Sequence, residues 1–458
     1  MKMSQEIGMD RDDTASAPSA VVIGAGLAGL TAAWDLSRKG WRVTVLEAAE
    51  APGGRCRDIV RGGLRIRSGA RLLYSFYTVV MDLIKELELE DEVVPLGHTT
   101  MVGRDANFRP YPLAFGWHPG LLTGGHLPLT SKLGLARLAL PLLRARIFGD
   151  PDDIASLGWA DRETLADFLD ARGGPAFVKA VAAPLFRGAR NWDPQEIATS
   201  FFLLTTAFQQ GHRAFTFRDG IGTLATRLAS RLDVRYLSRT TSILTDEGGV
   251  RVIARDAEGR ETCDQADIAI CAVEGDRAAA LIRKPLPDQR AFLEGVRYNP
   301  MGLLYGLLDR PLAHRIEFLQ PEDPAPLALV ETVPAGERPH ALAHLCCELS
   351  PEASRAAGSD ADLLKLVPTV QHFAARHEPA AADIRSWVPQ FIPSMLPLPY
   401  PGYATAMRRF RDAQADTPRR VYLCGDYLST ALVGGACASG RSAAKLADTH
   451  WRGQLNLG

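Results

Sequence analysis

Apolar residues fill positions 20–23, stop at Gly24, and return from 27 to 38 at the spacing of a helix. A second apolar run at 42–46 ends on Glu47. This pattern predicts strand, glycine turn, helix and strand, with an acid at the tip of the second strand. Related signals recur far downstream. Residues 223–232 carry a helical pattern, and strand-like pieces follow at 234–237, 241–245 and 249–255. The run 267–273, apolar after Asp267, reads as a strand buried on both faces. A last strand, 420–424, turns at Gly425 and Asp426 before Gly434, Gly435 and Ala436 open a helix through residue 448.

Two long stretches interrupt this series. Residues 75–214 are dominated by helical patterns. Residues 286–414 mix strands (301–308 and 341–349) with a helix at 361–375. Prolines crowd residues 389–401, which predicts neither a regular strand nor a helix interior there. The expected fold class is therefore α/β: a Rossmann-like unit assembled from discontinuous segments, 19–74, 215–285 and 415–452. Residues 75–214 and 286–414 would form an inserted α+β substrate domain. Residues 1–18 are polar and read as a disordered tail.

Composition narrows the class. At 458 residues two domains are expected, and 46% apolar with 23% charged residues is ordinary for a globular enzyme. A net charge of −1 argues against nucleic acid as a main partner. The seven cysteines are scattered without metal spacing, so no metal site is expected, and their odd number suits a reducing, cytoplasmic compartment. Adjacent Cys346 and Cys347 read as buried thiols. No apolar run is long enough for a membrane span. Residues 121–148, with Lys132, Arg137, Arg144 and Arg146, are patterned as an amphipathic helix. Its apolar side could pack in a core, or it could touch a membrane surface or admit an apolar substrate.

The opening motif carries the chemistry. Gly24 permits a tight turn, Gly26 lets the backbone approach a pyrophosphate, and Gly29 lets the helix pack closely on the strand. The helix start at Leu27 and Ala28 offers free N–H groups to phosphates. Glu47, 18 residues beyond Gly29, can accept hydrogen bonds from an adenosine ribose. The spacing points to a dinucleotide.

Gly53, Gly54 and Arg55 follow directly, which a nicotinamide site does not require. With the opening motif, they resemble the flavin-containing amine oxidase superfamily, which includes protoporphyrinogen oxidases and phytoene-type desaturases. The resemblance implies FAD, with Arg55 meeting its phosphates. Residues 68–72, including Gly69, Ala70, Arg71 and Leu72, match the family segment that backs the flavin ring. Thr241 stands where the family's adenine-side strand usually places valine. Asp426 would lie by the ribityl and phosphate portion, and the Val433 backbone would touch the flavin. Gly434, with Gly435 beside it, would let the ring approach the backbone, and Ala436 continues that wall. Residues 79–94 look like the helix that follows the flavin segment in protoporphyrinogen oxidases, and residues 183–188 and 193–196 also match.

Amine oxidases of this superfamily usually place a lysine beneath the flavin and an aromatic cage above it. Here the corresponding strand, 301–308, has no lysine, and one cage position is Leu432. These absences point away from ordinary amine oxidation. They point toward an apolar pocket with few titratable groups, in which FAD takes hydride from a C–H bond of a large apolar or pyrrolic substrate. Tyr305, Trp387, Met395, Tyr400, Tyr403 and Leu432 are the candidate substrate contacts, with core packing as their competing role. No residue stands out as a catalytic base, and His212, His314 and His344 lack a marking spacing. An amine or amino-acid oxidase and a redox-neutral flavin isomerase remain alternatives. The electron acceptor, O2, quinone or a carrier protein, leaves no motif, and peripheral membrane contact is a further expectation.

Overall fold

The computed structural model describes residues 17–96, 100–104, 109–113, 119–308, 313–321, 326–335 and 342–455. A five-stranded sheet holds, in spatial order, Asp233–Arg235, Arg42–Leu46, Ser19–Ile23, Ile268–Cys271 and Val421–Leu423, every pair parallel. Ser19–Ile23, Ile268–Cys271 and Val421–Leu423 are almost wholly buried, as expected when helices cover both faces of a parallel sheet. The Leu27–Arg38 helix rises from the glycine turn and packs against the long C-terminal helix, Val433–Leu455. Gly29 is required by this approach: a Cβ there would collide with the Gly24 carbonyl oxygen and crowd Ala272. An antiparallel meander, Arg239–Asp246, Gly249–Arg255 and Glu261–Ala266, stands beside this sheet in the chain.

The second large element is a seven-stranded sheet. Its order is Trp387–Pro397, Tyr298–Leu307, His344–Leu349, Leu327–Val333, Arg315–Phe318, Thr100–Arg104 and Pro110–Pro112. All its pairs are antiparallel except Arg315–Phe318 with Thr100–Arg104. Alternation along the strands gives it two faces. Leu304, Leu345, Cys347 and Leu349 pack under the helix Val367–His377 and its neighbours. Met301, Leu303, Tyr305 and Cys346 point the other way, toward Leu64, Ile66 and Met395. The adjacent cysteines thus serve opposite faces; both are buried and free.

Three local expectations are corrected. The proline-rich stretch does form a strand, Trp387–Pro397, at the edge of the seven-stranded sheet. An edge strand pairs on one side only, and a bulge between Asn299 and Met301 relaxes its register, so prolines cost little ladder bonding. The helix placed at 79–94 is Thr78–Glu86, followed by a single turn and the strand Val93–Pro95. The helix placed at 121–148 is broken between Gly120–Thr123 and the contiguous pieces Leu129–Gly134, Leu135–Leu138 (a 3-10 turn) and Ala139–Phe148. Gly124, Gly125 and Pro128 interrupt it, and Gly134 sits against the Arg172 backbone with no room for a side chain. Among the described residues no helix is long and apolar enough to cross a membrane.

Candidate functional site

One cavity of about 1350 Å³ runs between the parallel sheet and the open face of the seven-stranded sheet. That volume exceeds the usual range of roughly 300–1,000 Å³ for a single small-molecule site. It leaves room for a dinucleotide and a second molecule.

At one end the wall is mostly backbone. Gly24, Gly26, Leu27 and Ala28 line it, as do Glu47, Gly53, Gly54 and Arg55. The two loops are stapled together: the Gly53 N–H donates to the Ala25 carbonyl at 2.8 Å. The Glu47 carboxylate accepts from the N–H groups of Ala25 (2.7 Å) and Ala49 (2.8 Å), fixing the acid at the strand tip. The helix opening at Leu27 has no side-chain cap, so its first N–H groups remain for a ligand. A Cβ on Gly26 would meet nothing within 4 Å, which marks open space beside the turn. An open glycine cradle, an uncapped helix start and a cavity of this size fit a flavin dinucleotide.

The opposite wall of this end comes from Gly425, Asp426, Leu432, Val433 and Ala436. Arg55 closes the gap between the walls. Its guanidinium pairs with Asp426 at 2.9 Å and donates to the Met395 carbonyl at 2.6 Å. Burial works against its charge, but Asp426 and neighbouring groups outweigh that and keep it firmly protonated. Gly434 does not line the cavity. Its missing side chain instead makes room for Tyr77 and Asp152, and that of Gly435 makes room for the Thr430 backbone. The Asp152 carbonyl also accepts from the Ser429 hydroxyl, holding the loop before the C-terminal helix, and its carboxylate accepts from Thr78 at the start of the Thr78–Glu86 helix.

The far end is built from side chains. Gly69, Ala70, Arg71 and Leu72 lead into it, and alternate residues of three strands face it: Met301, Leu303 and Tyr305; Leu329, Glu331 and Val333; His344, Cys346 and Glu348. The expectation of few titratable groups is therefore corrected. Arg71 donates to Glu348 at 2.6 Å and to Glu331 at 3.1 Å, and His314 meets Glu331 at 3.0 Å. Burial would raise the Glu331 carboxyl, but Arg71, His314 and Arg67 pull it down to about 2. Burial pushes Glu348 up to about 7, with Arg71 opposing and Glu331 reinforcing the shift. Glu331 is therefore the more acidic of the two, and Glu348 ionises only toward neutral pH.

Of the other expected contacts, Met395 and Leu432 line the cavity with Tyr305. Trp387, Tyr400 and Tyr403 do not. Trp387 packs beside the helix-covered core, Tyr400 donates to the Gly295 carbonyl, and Tyr403 donates to the Tyr427 carbonyl. Thr241 is also off the wall. A bulge between Thr240 and Ser242 turns its hydroxyl to the Ile253 carbonyl, and Ser238, Arg239 and Thr240 line the cavity instead. Gly29 lies behind the turn as a packing contact. Sequence reasoning missed Glu331, Glu348, Arg190 and, apart from His212, the stretch from Gln209 to Ala214, all of which line the cavity. Among the described residues no lysine does.

A family model described as flavin containing amine oxidoreductase matches residues 27–447. A coproporphyrinogen III oxidase of Propionibacterium freudenreichii subsp. freudenreichii is 26% identical over 220 residues, covering 46% of this chain and 39% of that protein. A hydroxysqualene dehydroxylase of Rhodopseudomonas palustris is 32% identical over 177 residues, covering 38% and 40%. These matches thus span about two fifths of the relatives' lengths. A solved structure described as a protoporphyrinogen oxidase from Exiguobacterium sp. 255-15 shares the fold. Its TM-score is 0.72 at 17% identity, with 95% of this chain and 99% of that one covered.

Proposed function

The chain belongs to the flavin-containing amine oxidoreductases, and from that premise we propose an FAD-dependent enzyme that takes hydride from a C–H bond of a large apolar or pyrrolic substrate. The observation that carries this reading is one continuous cavity with a backbone cradle at one end and a mainly apolar sheet face at the other. In this reading the segments forming the parallel sheet bind the cofactor, and the seven-stranded sheet with the helices of 75–214 holds the substrate.

The chain's own groups divide the work. Glu47 accepts from the ribose, and the N–H groups at Gly26, Leu27 and Ala28 take the pyrophosphate. Arg55, held by Asp426, adds positive charge beside the phosphates. The start of the Val433–Leu455 helix presents partial positive charge to negative charge that develops near it. Bound FAD supplies a two-electron acceptor for the substrate's C–H bond. Met301, Leu303, Leu329, Val333 and Leu432 exclude water and orient the substrate against it.

An amino-acid substrate fits less well. A substrate carboxylate would seek Arg71, whose guanidinium already serves two buried carboxylates. A simple amine remains a second reading, favoured by those same carboxylates. Anaerobic mixing separates the two. Bleaching of the yellow flavin band by a reduced tetrapyrrole or a polyene supports the lead, and bleaching by alkylamines alone overturns it.

The broken helices also support a membrane contact. Leu129, Leu133, Leu140, Leu143, Ile147 and Phe148 are all exposed. Residues 120–149 contain no acid, while Lys132, Arg137, Arg144 and Arg146 are basic. This patch suits an anionic lipid surface. Arg146 lies over Phe208, next to Gln209 of the cavity wall, so the patch adjoins the cavity. A lipid position would suit a quinone as electron acceptor.

A further inference from the structure

We propose that Glu348 is the point in the cavity that receives a hydrogen-bond donor, an N–H or O–H, carried by an otherwise apolar substrate. The inference rests on the cavity being the substrate site of the proposed function, and not on which C–H bond is oxidised.

Position comes first. Glu348 stands on the cavity face of the His344–Leu349 strand, paired across to Leu303 on one side and Leu329 on the other. Both neighbours line the cavity and both are apolar, so a carboxyl is set into a greasy wall. Glu348 is 1% exposed, and its Oε2 accepts from Arg71. Its Oε1 is buried with no hydrogen-bond partner. Once Glu348 ionises, that oxygen is an orphaned acceptor, which is costly, and proteins seldom keep one without a use.

Charge makes the same point. If Arg71 were only a clamp between residues 68–72 and the sheet, Glu331 would suffice as its partner. A second carboxylate on the same guanidinium adds desolvation and repulsion without a second cation in contact with it. The charged and titratable groups around it are Arg71, Glu331 and Cys346, with Tyr305, Arg67 and His344 also on this wall and His314 held by Glu331. Tyr305 is already committed, donating to Gln390 at 2.9 Å. A donor arriving from the cavity would satisfy Oε1 and favour the ionised carboxylate.

Indole and 1-benzofuran test this directly, because they share a shape and differ by one N–H. Calorimetric titration of the FAD-loaded protein should show indole binding about tenfold tighter, the usual scale for a hydrogen bond to a charged group. The preference should grow as pH rises through about 7, where Glu348 ionises. It should vanish in Glu348→Leu and persist in part in Glu348→Gln, whose amide oxygen still accepts. If Glu348→Leu does not fold, the Glu348→Gln variant and the wild-type pH dependence decide. Equal binding by the wild type, including none by either compound, overturns the proposal, as does a preference that survives Glu348→Leu. A wrong choice of C–H substrate would leave the indole preference intact, so the two readings fail separately.

Discussion

The two ends of the cavity are built on opposite plans. At the cradle, neighbouring residues act through backbone: glycine turns, an uncapped helix start and N–H groups fixed by Glu47. At the sheet end, residues hundreds of positions apart act through side chains, with Arg71 gathering Glu331 and Glu348 from two strands. A backbone site tolerates few sequences but one broad class of ligand. A side-chain site on a sheet face can change ligand with each alternate residue. On the proposed function, the first end would serve the cofactor and the second would leave the substrate free to vary.

Two arginines distinguish the ends most clearly. Arg55→Ala leaves Asp426 buried without its cation, at a cost of about 3 kcal/mol. It also removes positive charge from the cradle, so flavin content after purification should fall below half of wild type. Arg71→Met should cost a similar amount, about 3 kcal/mol in thermal or urea unfolding, by stranding two carboxylates. Its flavin content should stay near wild type. Equal flavin loss in both variants would mean that the two ends are not separable.

The pH dependence of stability sharpens the difference. Glu348 is raised in the folded state to about 7, so it favours folding below the ordinary carboxyl value and loses that contribution as pH rises through about 7. Glu331, depressed to about 2, contributes above the ordinary value and is lost only toward pH 2. Glu348→Gln should therefore gain stability relative to wild type between pH 5 and 8, by up to about 3 kcal/mol. Melting curves at the two pH values check this, and a constant difference would refute the assignment. The smallest effect on stability belongs to the surface. Replacing Leu140, Ile147 and Phe148 together by serine should shift unfolding by about 0.5 kcal/mol or less per site. The same change should sharply reduce co-sedimentation with phosphatidylserine-containing vesicles.

How much was legible follows from the same contrast. The glycine turn, Glu47 and the Gly53–Arg55 loop could be read because their requirements fall on contiguous residues. The cluster at the sheet end was hidden in HLCCEL, where the adjacent cysteines pointed only to buried thiols. Its period of two, with His344, Cys346 and Glu348 against Leu345, Cys347 and Leu349, was the available signal. Nothing local links that strand to Arg71, 277 positions away. Thr241 was displaced by a bulge, which residue type alone does not announce. The proline strand was missed because edge position is a property of the sheet, not of the segment.

In the proposed function, a cofactor held at the cradle reacts with a substrate lying on the sheet face. Leu303→Trp, which fills that face without touching the cradle, tests it by anaerobic stopped-flow reduction with whichever reduced tetrapyrrole or polyene bleaches the wild type. Full flavin content with reduction slowed on the order of a hundredfold is the expected result. Reduction at the wild-type rate would mean that the substrate does not react on the sheet face.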